Sequence, residues 1–324
     1  MVGALIGISV VVVLVIVLRL AERPKLISPV LPDELPRYQT LEQLALRLHT
    51  REANERGLKP GAEALVVFAQ PAKPERTKIC YLYLHGLSAS RQEISPVTET
   101  LAAADQANAL YARISGHGMG TAGMGKYHAG HWLESVWEYW LMARALGERV
   151  VIVATSTGAA SAVWLTQQRD VDQHLQALLL IAPNFGVSDK RAFLLTWPGA
   201  RTWIPWVAGR FHSWEPRNKL QAKYWSTTYS TLAWIEMQLL LEQIAHIDYQ
   251  KMKTPLMIQV SPEDPVINPM RARAIFEQWG GVPKAFRWVT VPSGDSQHVF
   301  VGDIMGPQRN DEVIHEFRLF LDQL

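Results

Sequence analysis

Residues 150–160 of this chain, VVIVATSTGAA, predict its fold. Five apolar residues form a candidate strand, a short polar turn follows, and the small apolar residues after Gly158 are typical of a helix. A strand that is apolar on both faces belongs inside a parallel sheet. At such a strand–turn–helix junction Ser156 is held on a tight turn with its hydroxyl at the top of the sheet. The small residues Ala154 and Gly158 let strand and helix cross closely.

Six further apolar runs alternate with helical patterns along the rest of the chain, which is the spacing of βαβ units. We therefore expect a doubly wound α/β domain that binds its ligand beyond the carboxyl ends of the strands. The other predicted strands are Ala64–Ala69, Ile79–Leu84, Ala109–Ile114, Ala177–Ile181, Pro255–Val260 and Phe286–Val291. The predicted helices are Ile94–Ala104, Trp132–Leu146, Gly158–Gln168, Met270–Trp279 and Glu312–Leu321.

A serine becomes a nucleophile only when a base removes its proton, and the base needs a third group to orient it. Asp264 follows the sixth apolar run and His298 lies in the loop after the seventh, so both fall at carboxyl ends of strands. The order Ser156, Asp264, His298 is the order found in α/β-hydrolases. Glu263 is the next candidate for the orienting carboxylate, and Asp295 is too close in sequence to His298 to be preferred.

Two backbone N–H groups should stabilise the oxyanion of a tetrahedral intermediate. Thr157 supplies one, because it follows the nucleophile at the start of a helix. The loop after the second run, His85-Gly86-Leu87-Ser88, supplies the other. Glycine allows the backbone to approach the substrate closely, which leaves the N–H of Leu87 to donate.

One region, from Asn184 to about Asp248, lacks the strand–helix alternation and holds half of the twelve tryptophans. It is interpreted in two compatible ways: as a helical insertion that packs its own small core, or as a cap whose aromatic underside lines an apolar cleft. The tryptophans are Trp197, Trp203, Trp206, Trp214, Trp225 and Trp234.

The N-terminal segment Val2–Leu18 has seventeen residues without a charge. As a helix it is about 25 Å long, slightly short of a hydrocarbon slab of about 30 Å. A single-pass membrane anchor is favoured over a cleaved signal peptide, which needs a basic start and a small-x-small cleavage site, and over a buried core helix. Arg19, Arg23 and Lys25 follow the span, which favours a cytoplasmic body.

Between this segment and the first predicted strand lies a linker of about forty residues. Four prolines between Pro24 and Pro36 exclude a helix and indicate a stiff spacer. A helical pattern then covers Thr40–Glu55. The predicted organisation is an anchor (1–21), a spacer with a helix (22–61), a catalytic domain (62–183 and 249–324) and a cap (184–248).

Composition excludes several other classes of protein. Lys and Arg number 32 and Asp and Glu 30, so no broad basic face for nucleic acid is expected. A single cysteine, Cys80, excludes a disulfide framework. His117, His128 and His131 share no ligand spacing with a carboxylate, and the glycines of residues 116–125 lack the phosphate-binding pattern. We therefore expect no metal and no cofactor.

Five motifs give the chain a resemblance to the α/β-hydrolase superfamily, especially to its capped carboxylesterases and monoacylglycerol-lipase-like members. The resemblance covers about four-fifths of the chain, from Ala62 to Leu324. It departs from the usual pattern at Ala154, where glycine is more common, and in the N-terminal span. The motifs are Leu84-His85-Gly86-Leu87, Ser115-Gly116-His117-Gly118, Ala154-Thr155-Ser156-Thr157-Gly158, Asp264-Pro265-Val266 and His298.

The resemblance implies an α/β-hydrolase fold with a mostly parallel, doubly wound sheet and a helical cap inserted after the sixth strand. The predicted N-terminal transmembrane helix comes from the apolar segment Val2–Leu18 and not from the resemblance. It implies Ser156 as nucleophile, His298 as base and Asp264 as orienting group, with Leu87 and Thr157 as oxyanion donors; His117 is usually structural in relatives. The expected reaction is hydrolysis of lipophilic acyl esters such as monoglycerides.

Three alternatives remain open on the same residues. Thioesterases use the same triad, as do amidases and aminopeptidases. An aminopeptidase would need a carboxylate in the cap for the substrate amine, and Glu215 and Glu236 are the candidates. A non-catalytic, membrane-tethered binding protein is the third. The sequence does not indicate an oligomeric state.

Overall fold

A seven-stranded sheet organises the computed structural model, which describes residues 21–35, 39–121 and 123–324. Its strand order is β1-β3-β2-β4-β5-β8-β9, and all neighbours are parallel except β1 and β3. The strands are β1 (Leu65–Val67), β2 (Thr77–Leu84), β3 (Asn108–Tyr111), β4 (Gly147–Thr155), β5 (Leu175–Ile181), β6 (Phe211–Ser213), β7 (Thr228–Ser230), β8 (Leu256–Val260) and β9 (Lys284–Trp288).

Helices cover both faces of this sheet. They are α1 (Leu41–Ala53), α2 (Val97–Ala104), α3 (Ala129–Leu146), α4 (Thr157–Leu165), α5 (Val171–His174), α6 (Ala200–Val207), α7 (Lys219–Tyr224), α8 (Leu232–Ala245), α9 (Pro269–Gln278) and α10 (Asn310–Leu321). Short 3₁₀ turns occur at Met124–Lys126, Lys190–Thr196, Tyr249–Lys251 and Pro307–Arg309.

Strand β4 lies at the centre of the sheet and contributes side chains to the hydrophobic cores on both of its faces. Ala154 sits opposite Leu84 of β2 on one side and Leu180 of β5 on the other. Alternate side chains point to opposite faces of the strand. Val150 and Ile152 therefore join the core under α1, α3, α4 and α9, whereas Val151 and Val153 join the core under α2 and α10. From Val150 to Ala154 the strand is buried on both faces and has no polar side chain, as its sequence predicts; Glu148 and Arg149 at its start are exposed.

Each of the seven predicted apolar runs overlaps a strand of the sheet, but their ends differ. β4 begins at Gly147, three residues early, because the pairing with β2 extends back to Thr77. β3 ends at Tyr111 rather than at Ile114. The antiparallel direction of β1 was not predicted, because a three-residue edge strand gives no sequence signal for direction.

The proline-rich segment lies along α3, and residues 21–35 form no helix. The indole N–H of Trp137 donates to the carbonyl of Pro32 at 2.7 Å, and the N–H of Val30 donates to Glu134 Oε1 at 2.8 Å. A Cβ on Gly130 would lie 2.3 Å from the carbonyl oxygen of Ile27. The segment is therefore held against the body by specific contacts.

Residues 184–248 contain α6, α7 and α8 and also the antiparallel pair β6–β7, which the sequence did not predict. Three-residue strands are too short to show an alternating pattern. A small separate core joins Ala200 and Ile204 of α6 to Ile235 and Leu239 of α8. This matches the interpretation of a helical insertion with a core of its own.

The predicted anchor, Val2–Leu18, lies outside the described residues. Within residues 21–35, 39–121 and 123–324 no helix is long and apolar enough to cross a membrane.

Candidate active site

Ser156 occupies the turn between β4 and α4 in a conformation that side chains rarely adopt, with φ +51° and ψ −120°. Its N–H donates to the carbonyl of Ile181 at 3.1 Å, which ties the turn to the end of β5. A non-glycine residue at such angles persists only where its surroundings impose them, and this is common at functional sites. The turn presents the hydroxyl above the carboxyl edge of the sheet.

The two small residues around Ser156 are small for different reasons. A Cβ at Gly158 would lie 2.3 Å from the carbonyl oxygen of Leu84 and 2.5 Å from that of His85, so no larger residue fits. The methyl group of Ala154 lies buried in the main core. The departure from glycine at position 154 is therefore accommodated by the fold, whereas position 158 requires glycine.

The structure brings Ser156, His298 and Asp264 into one hydrogen-bonded chain. The Ser156 Oγ lies 2.9 Å from His298 Nε2, and His298 Nδ1 lies 2.7 Å from Asp264 Oδ2. Carboxylates accept only, so His298 carries a proton on Nδ1 and presents a lone pair on Nε2 to the serine hydroxyl. This arrangement can move a proton from Ser156 to His298 while Asp264 holds the ring.

Asp264 is fixed independently of the histidine. Its Oδ1 accepts the N–H groups of Val266 and Ile267 at 2.8 and 3.1 Å, and the residue is buried. The other two carboxylates weighed from the sequence are elsewhere: Glu263 is exposed, and Asp295 accepts a hydrogen bond from Gln308 at 2.9 Å.

The loop after β2 approaches Ser156 closely at Gly86. A Cβ there would lie 3.1 Å from the Cβ of Ser156 and 2.9 Å from Glu93 Oε1. His85 holds the loop, because its Nε2 accepts the N–H of Ile114 at 3.1 Å and its Nδ1 donates to the carbonyl of Gly86 at 2.9 Å. Burial lowers the pKa of His85 to about 4, which keeps its ring neutral for these two bonds. Leu87 and Thr157 both line the cavity above Ser156.

Glu93 is a site residue that the sequence did not reveal. Its Oε2 accepts the N–H of Gly86 at 2.7 Å and the hydroxyl of Tyr83 at 2.8 Å, and it also lines the cavity. Burial raises its pKa to about 7; the two hydrogen bonds and the charge of His298 act in the opposite direction. Only the structure shows that this loop folds back onto Gly86.

A second unpredicted contact joins the loops that carry Asp264 and His298. The hydroxyl of Ser261 donates to Gln297 Oε1 at 2.6 Å, and Gln297 Nε2 donates to the carbonyl of Val291 at 3.1 Å. Since Ser261 follows β8 and Gln297 precedes His298, the contact sets the spacing between the two loops.

A cavity of about 430 Å³ opens above Ser156 and His298. Its roof comes from residues 184–248, and most of those lining side chains are aromatic or apolar. They are Trp214, Trp225, Tyr229, Trp234 and Met237, with Asn184, Val187, Glu215, Arg217 and Gln221. Three of the six tryptophans of this region thus line the cavity, as the cap interpretation expects. Glu215 is exposed at its edge.

Several polar residues singled out in the sequence lie away from this cavity. Glu236 is buried between cap and body, where it pairs with Arg201 and accepts the N–H of Ala129 at 2.9 Å. It is therefore not placed to bind a substrate amine. Buried His117 donates to the carbonyl of Ile114 at 3.2 Å. The described part of the chain contains no group of three metal-ligating side chains.

The sequence matches no family model, and no curated protein matches it. Solved structures do match. One reported for the metagenome-derived lipolytic enzymes LipS and LipT has a TM-score of 0.66 at 18% identity, covering 82% of this chain and all of that one. A soluble variant of monoglyceride lipase from Saccharomyces cerevisiae has a TM-score of 0.59 at 10% identity, with 81% and 91% covered.

A monoacylglycerol lipase from Paleococcus ferrophilus also has a TM-score of 0.59, at 14% identity, and the match covers 81% of this chain and 98% of that one. Identities this low establish the fold alone. Together with the parallel sheet and the strand–turn–helix junction at Ser156, the matches show that this chain resembles lipases and esterases in structure and has the α/β-hydrolase fold.

Proposed function

We propose that this chain is a membrane-anchored serine hydrolase that cleaves carboxylic esters through an acyl-enzyme. One observation carries the proposal. The hydroxyl of Ser156, held on a strained turn, lies 2.9 Å from His298 Nε2, and Asp264 lies 2.7 Å from the opposite ring nitrogen. This chain of contacts ends at the floor of a cavity, where a substrate can reach the hydroxyl.

The proposed reaction has two halves. His298 takes the proton of Ser156 as its Oγ attacks the acyl carbon; the tetrahedral intermediate then collapses, the bond to the leaving oxygen breaks, and His298 protonates the leaving alcohol. In the second half His298 takes a proton from water, the resulting hydroxide attacks the acyl-enzyme, and Ser156 regains its proton as the carboxylic acid leaves. Asp264 stabilises the imidazolium in both halves.

The oxyanion of each intermediate is proposed to accept hydrogen bonds from the N–H groups of Leu87 and Thr157. Both residues line the cavity on the side of Ser156. The first follows Gly86, where a Cβ would lie 3.1 Å from that of Ser156 and 2.9 Å from Glu93 Oε1. The second is the first residue of α4, where N–H groups have no partner within the helix.

Lipophilic acyl esters, including monoglycerides, are the proposed substrates. Three tryptophans and Tyr229 line the roof of the cavity, and burial of an acyl chain against them is favourable by about 25 cal/mol per Å² of apolar area. Two of the similar structures are a monoglyceride lipase and a monoacylglycerol lipase. The apolar segment Val2–Leu18 would hold the enzyme at the bilayer from which such esters come, with the body on the cytoplasmic side.

The domain organisation is proposed along with the function. An anchor (1–21) and a spacer with a helix (22–61) precede a catalytic domain formed by 62–183 and 249–324. The cap, residues 184–248, carries the roof of the cavity. The packing of residues 21–35 along α3 holds the first part of the spacer against the body.

A fluorophosphonate probe and a p-nitrophenyl ester test the proposal together. The wild-type chain should form a covalent adduct on Ser156, and Ser156→Ala should lose both the adduct and the ester turnover. Ser161→Ala is the matched control, because Ser161 is a buried serine in α4, the helix that follows Ser156, and its hydroxyl donates to the carbonyl of Thr157. An unlabelled wild-type chain that folds normally would instead support a non-catalytic binding protein.

A second experiment distinguishes an ester hydrolase from a thioesterase and from an amidase or aminopeptidase. The same acyl group is offered as an oxygen ester, a thioester and an anilide. The ester should have the highest kcat/KM. Preferential turnover of the anilide would favour the amidase alternative. Turnover of an aminoacyl anilide, which carries a free amine, that depends on Glu215 at the edge of the cavity would favour the aminopeptidase.

A further inference from the structure

The cap carries a second aromatic surface that faces solvent rather than the cavity. Five large apolar side chains within residues 193–211 are more than two-fifths exposed, and Trp206 is 87% exposed. Contiguous exposed apolar surface marks an interaction site with a protein or a membrane. The five are Phe193, Trp197, Trp206, Val207 and Phe211.

The packing of α6 explains why these side chains face outward. Ala200 and Ile204 turn into the small core shared with α8. Trp206 and Val207, at the end of α6, have 87% and 70% of their surface exposed. The outer side of α6 therefore has no partner in the part of the chain that the structure describes.

The same segment is strongly basic. Residues 190–211 contain four basic residues and no Asp or Glu. Arg191 pairs with Asp189 and Arg201 pairs with Glu236. Within the described ranges Lys190 and Arg210 have no ion-pair partner, so their charge is open to an anionic surface. We call the five exposed apolar side chains together with Lys190, Arg191, Arg201 and Arg210 the aromatic–basic face.

Glu22 and Arg23, which follow the N-terminal segment in sequence, contact the body beside this face. The carbonyl of Glu22 accepts the N–H of Gly199 at 3.0 Å, and Arg23 Nε donates to the carbonyl of Thr196 at 3.1 Å. These contacts lie between the 3₁₀ turn that carries Phe193 and the start of α6. Four residues, 19–22, connect Leu18 to the first of these contacts and reach about 14 Å at full extension.

From these observations we infer that the aromatic–basic face docks on the headgroup region of an anionic phospholipid bilayer, the bilayer in which the apolar segment Val2–Leu18 resides. The inference rests on the membrane anchor of the proposed function. Tryptophan concentrates at the membrane–water interface, and Lys and Arg are attracted to anionic lipid. An apolar span that ends within about 14 Å of this face holds it near the headgroups.

This docking sets the orientation of the cavity. Trp214, which directly follows β6, lines the cavity and lies three residues after the exposed Phe211. The cap would thus present one aromatic surface to the bilayer and another to the substrate, which shortens the path of a lipophilic ester between them.

A polarity-sensitive fluorophore at position 206 tests the inference in the full chain. Trp206→Cys is labelled with a nitrobenzoxadiazole reagent and reconstituted in vesicles of phosphatidylcholine and phosphatidylglycerol, with a spin-labelled lipid as quencher. The native Cys80 is fully buried, and burial raises the pKa of its thiol, so it does not compete for the label. Val282→Cys is the matched control, because Val282 is 73% exposed and lies at the amino end of β9, away from the cap.

We expect a blue shift at position 206 on vesicles and loss of most of its emission to the lipid-borne quencher, with neither change at position 282. If the protein sediments with the vesicles but the labels at positions 206 and 282 are quenched equally and weakly, the docking would be overturned. A blue shift without vesicles that resists the quencher would also overturn it, and would indicate that the N-terminal segment or a second copy covers the face.

Two further arms separate the docking from the anchor and from the catalytic proposal. If alkaline carbonate releases the protein from vesicles on which the label at position 206 had been quenched, the anchor would be contradicted and the docking supported. If the protein does not bind vesicles at all, both would be contradicted. The double variant Lys190→Gln, Arg210→Gln should reduce quenching of the label at position 206 on anionic vesicles but not on neutral ones. Unchanged quenching on anionic vesicles would contradict the role of these two basic side chains. None of these readouts depends on ester hydrolysis.

Discussion

The floor and the roof of the cavity are built in different ways. The floor consists of strand ends and tight turns, in which Ser156, His298 and Asp264 are fixed to within hydrogen-bond distance. The roof consists largely of aromatic side chains carried by the β6–β7 hairpin, the residues around it, and α8. Under the proposed function, the floor would determine the chemistry and the roof would determine which substrate reaches it.

The largest effect is expected at Asp264, which holds the proton on Nδ1 of His298. Asp264→Asn should lower kcat by about 10⁴-fold, because an amide does not enforce the proton on Nδ1 of His298 that leaves Nε2 free to act as the base. Steady-state ester hydrolysis measures the loss. Glu263→Gln is the control, because Glu263 is exposed, and it should retain activity. If both variants lost equal activity, Asp264 would not be the orienting group.

A second prediction compares two small residues of the floor. Gly158→Ala should lower the free energy of unfolding by about 3 kcal/mol, because its Cβ would overlap the carbonyl oxygens of Leu84 and His85 at 2.3 and 2.5 Å. Ala154→Gly should lower it by only about 1 kcal/mol, through backbone entropy and one lost methyl contact. Urea unfolding followed by circular dichroism measures both. Equal effects would show that the helix shifts to accept the methyl group.

The sequence predicted the floor well, because the chemistry there depends on local features. The apolar run before Ser156, the small residues around it and the positions of Asp264 and His298 after apolar runs are all visible in the sequence. The structure brings these three side chains together as expected. Glu93 and Gln297 were missed because they act through loops that fold back onto the site, and loop paths leave no periodic signal.

The roof was predicted only in outline. A concentration of tryptophan in residues 184–248 indicated a cap, but the sequence did not separate the three rings that line the cavity from the exposed Trp197 and Trp206. The strands β6 and β7 were also missed. Which face of a short helix is buried depends on the surface it packs against, and that surface comes from distant parts of the chain.

Glu93 gives the floor a pH dependence. Its pKa in the folded chain is raised by burial to about 7, above its usual value of 4.5, so the folded state binds this proton more tightly than the unfolded chain does. Its contribution to stability is therefore greatest below pH 4.5 and is lost as pH rises to about 7. The loss amounts to about 3 kcal/mol.

Glu93→Gln should remove this dependence, since glutamine keeps an acceptor for Gly86 and Tyr83 and does not ionise. Urea unfolding of both chains from pH 5 to 8 measures it, and the wild-type chain should lose stability relative to the variant across that range. Parallel profiles would mean that Glu93 titrates at its usual value.

The smallest effect is expected in the roof, and it should depend on the substrate. Trp214 is half-buried and lines the cavity. Trp214→Ala should lower kcat/KM for p-nitrophenyl octanoate about tenfold, because an acyl chain loses roughly 50 Å² of apolar contact at about 25 cal/mol per Å². The acetate ester, which does not reach the ring, should change less than about twofold. Trp288→Ala on the edge strand β9 is the control and should leave both esters unaffected. An equal loss for acetate and octanoate would mean that the roof also positions the reacting groups, and the division between floor and roof would no longer hold.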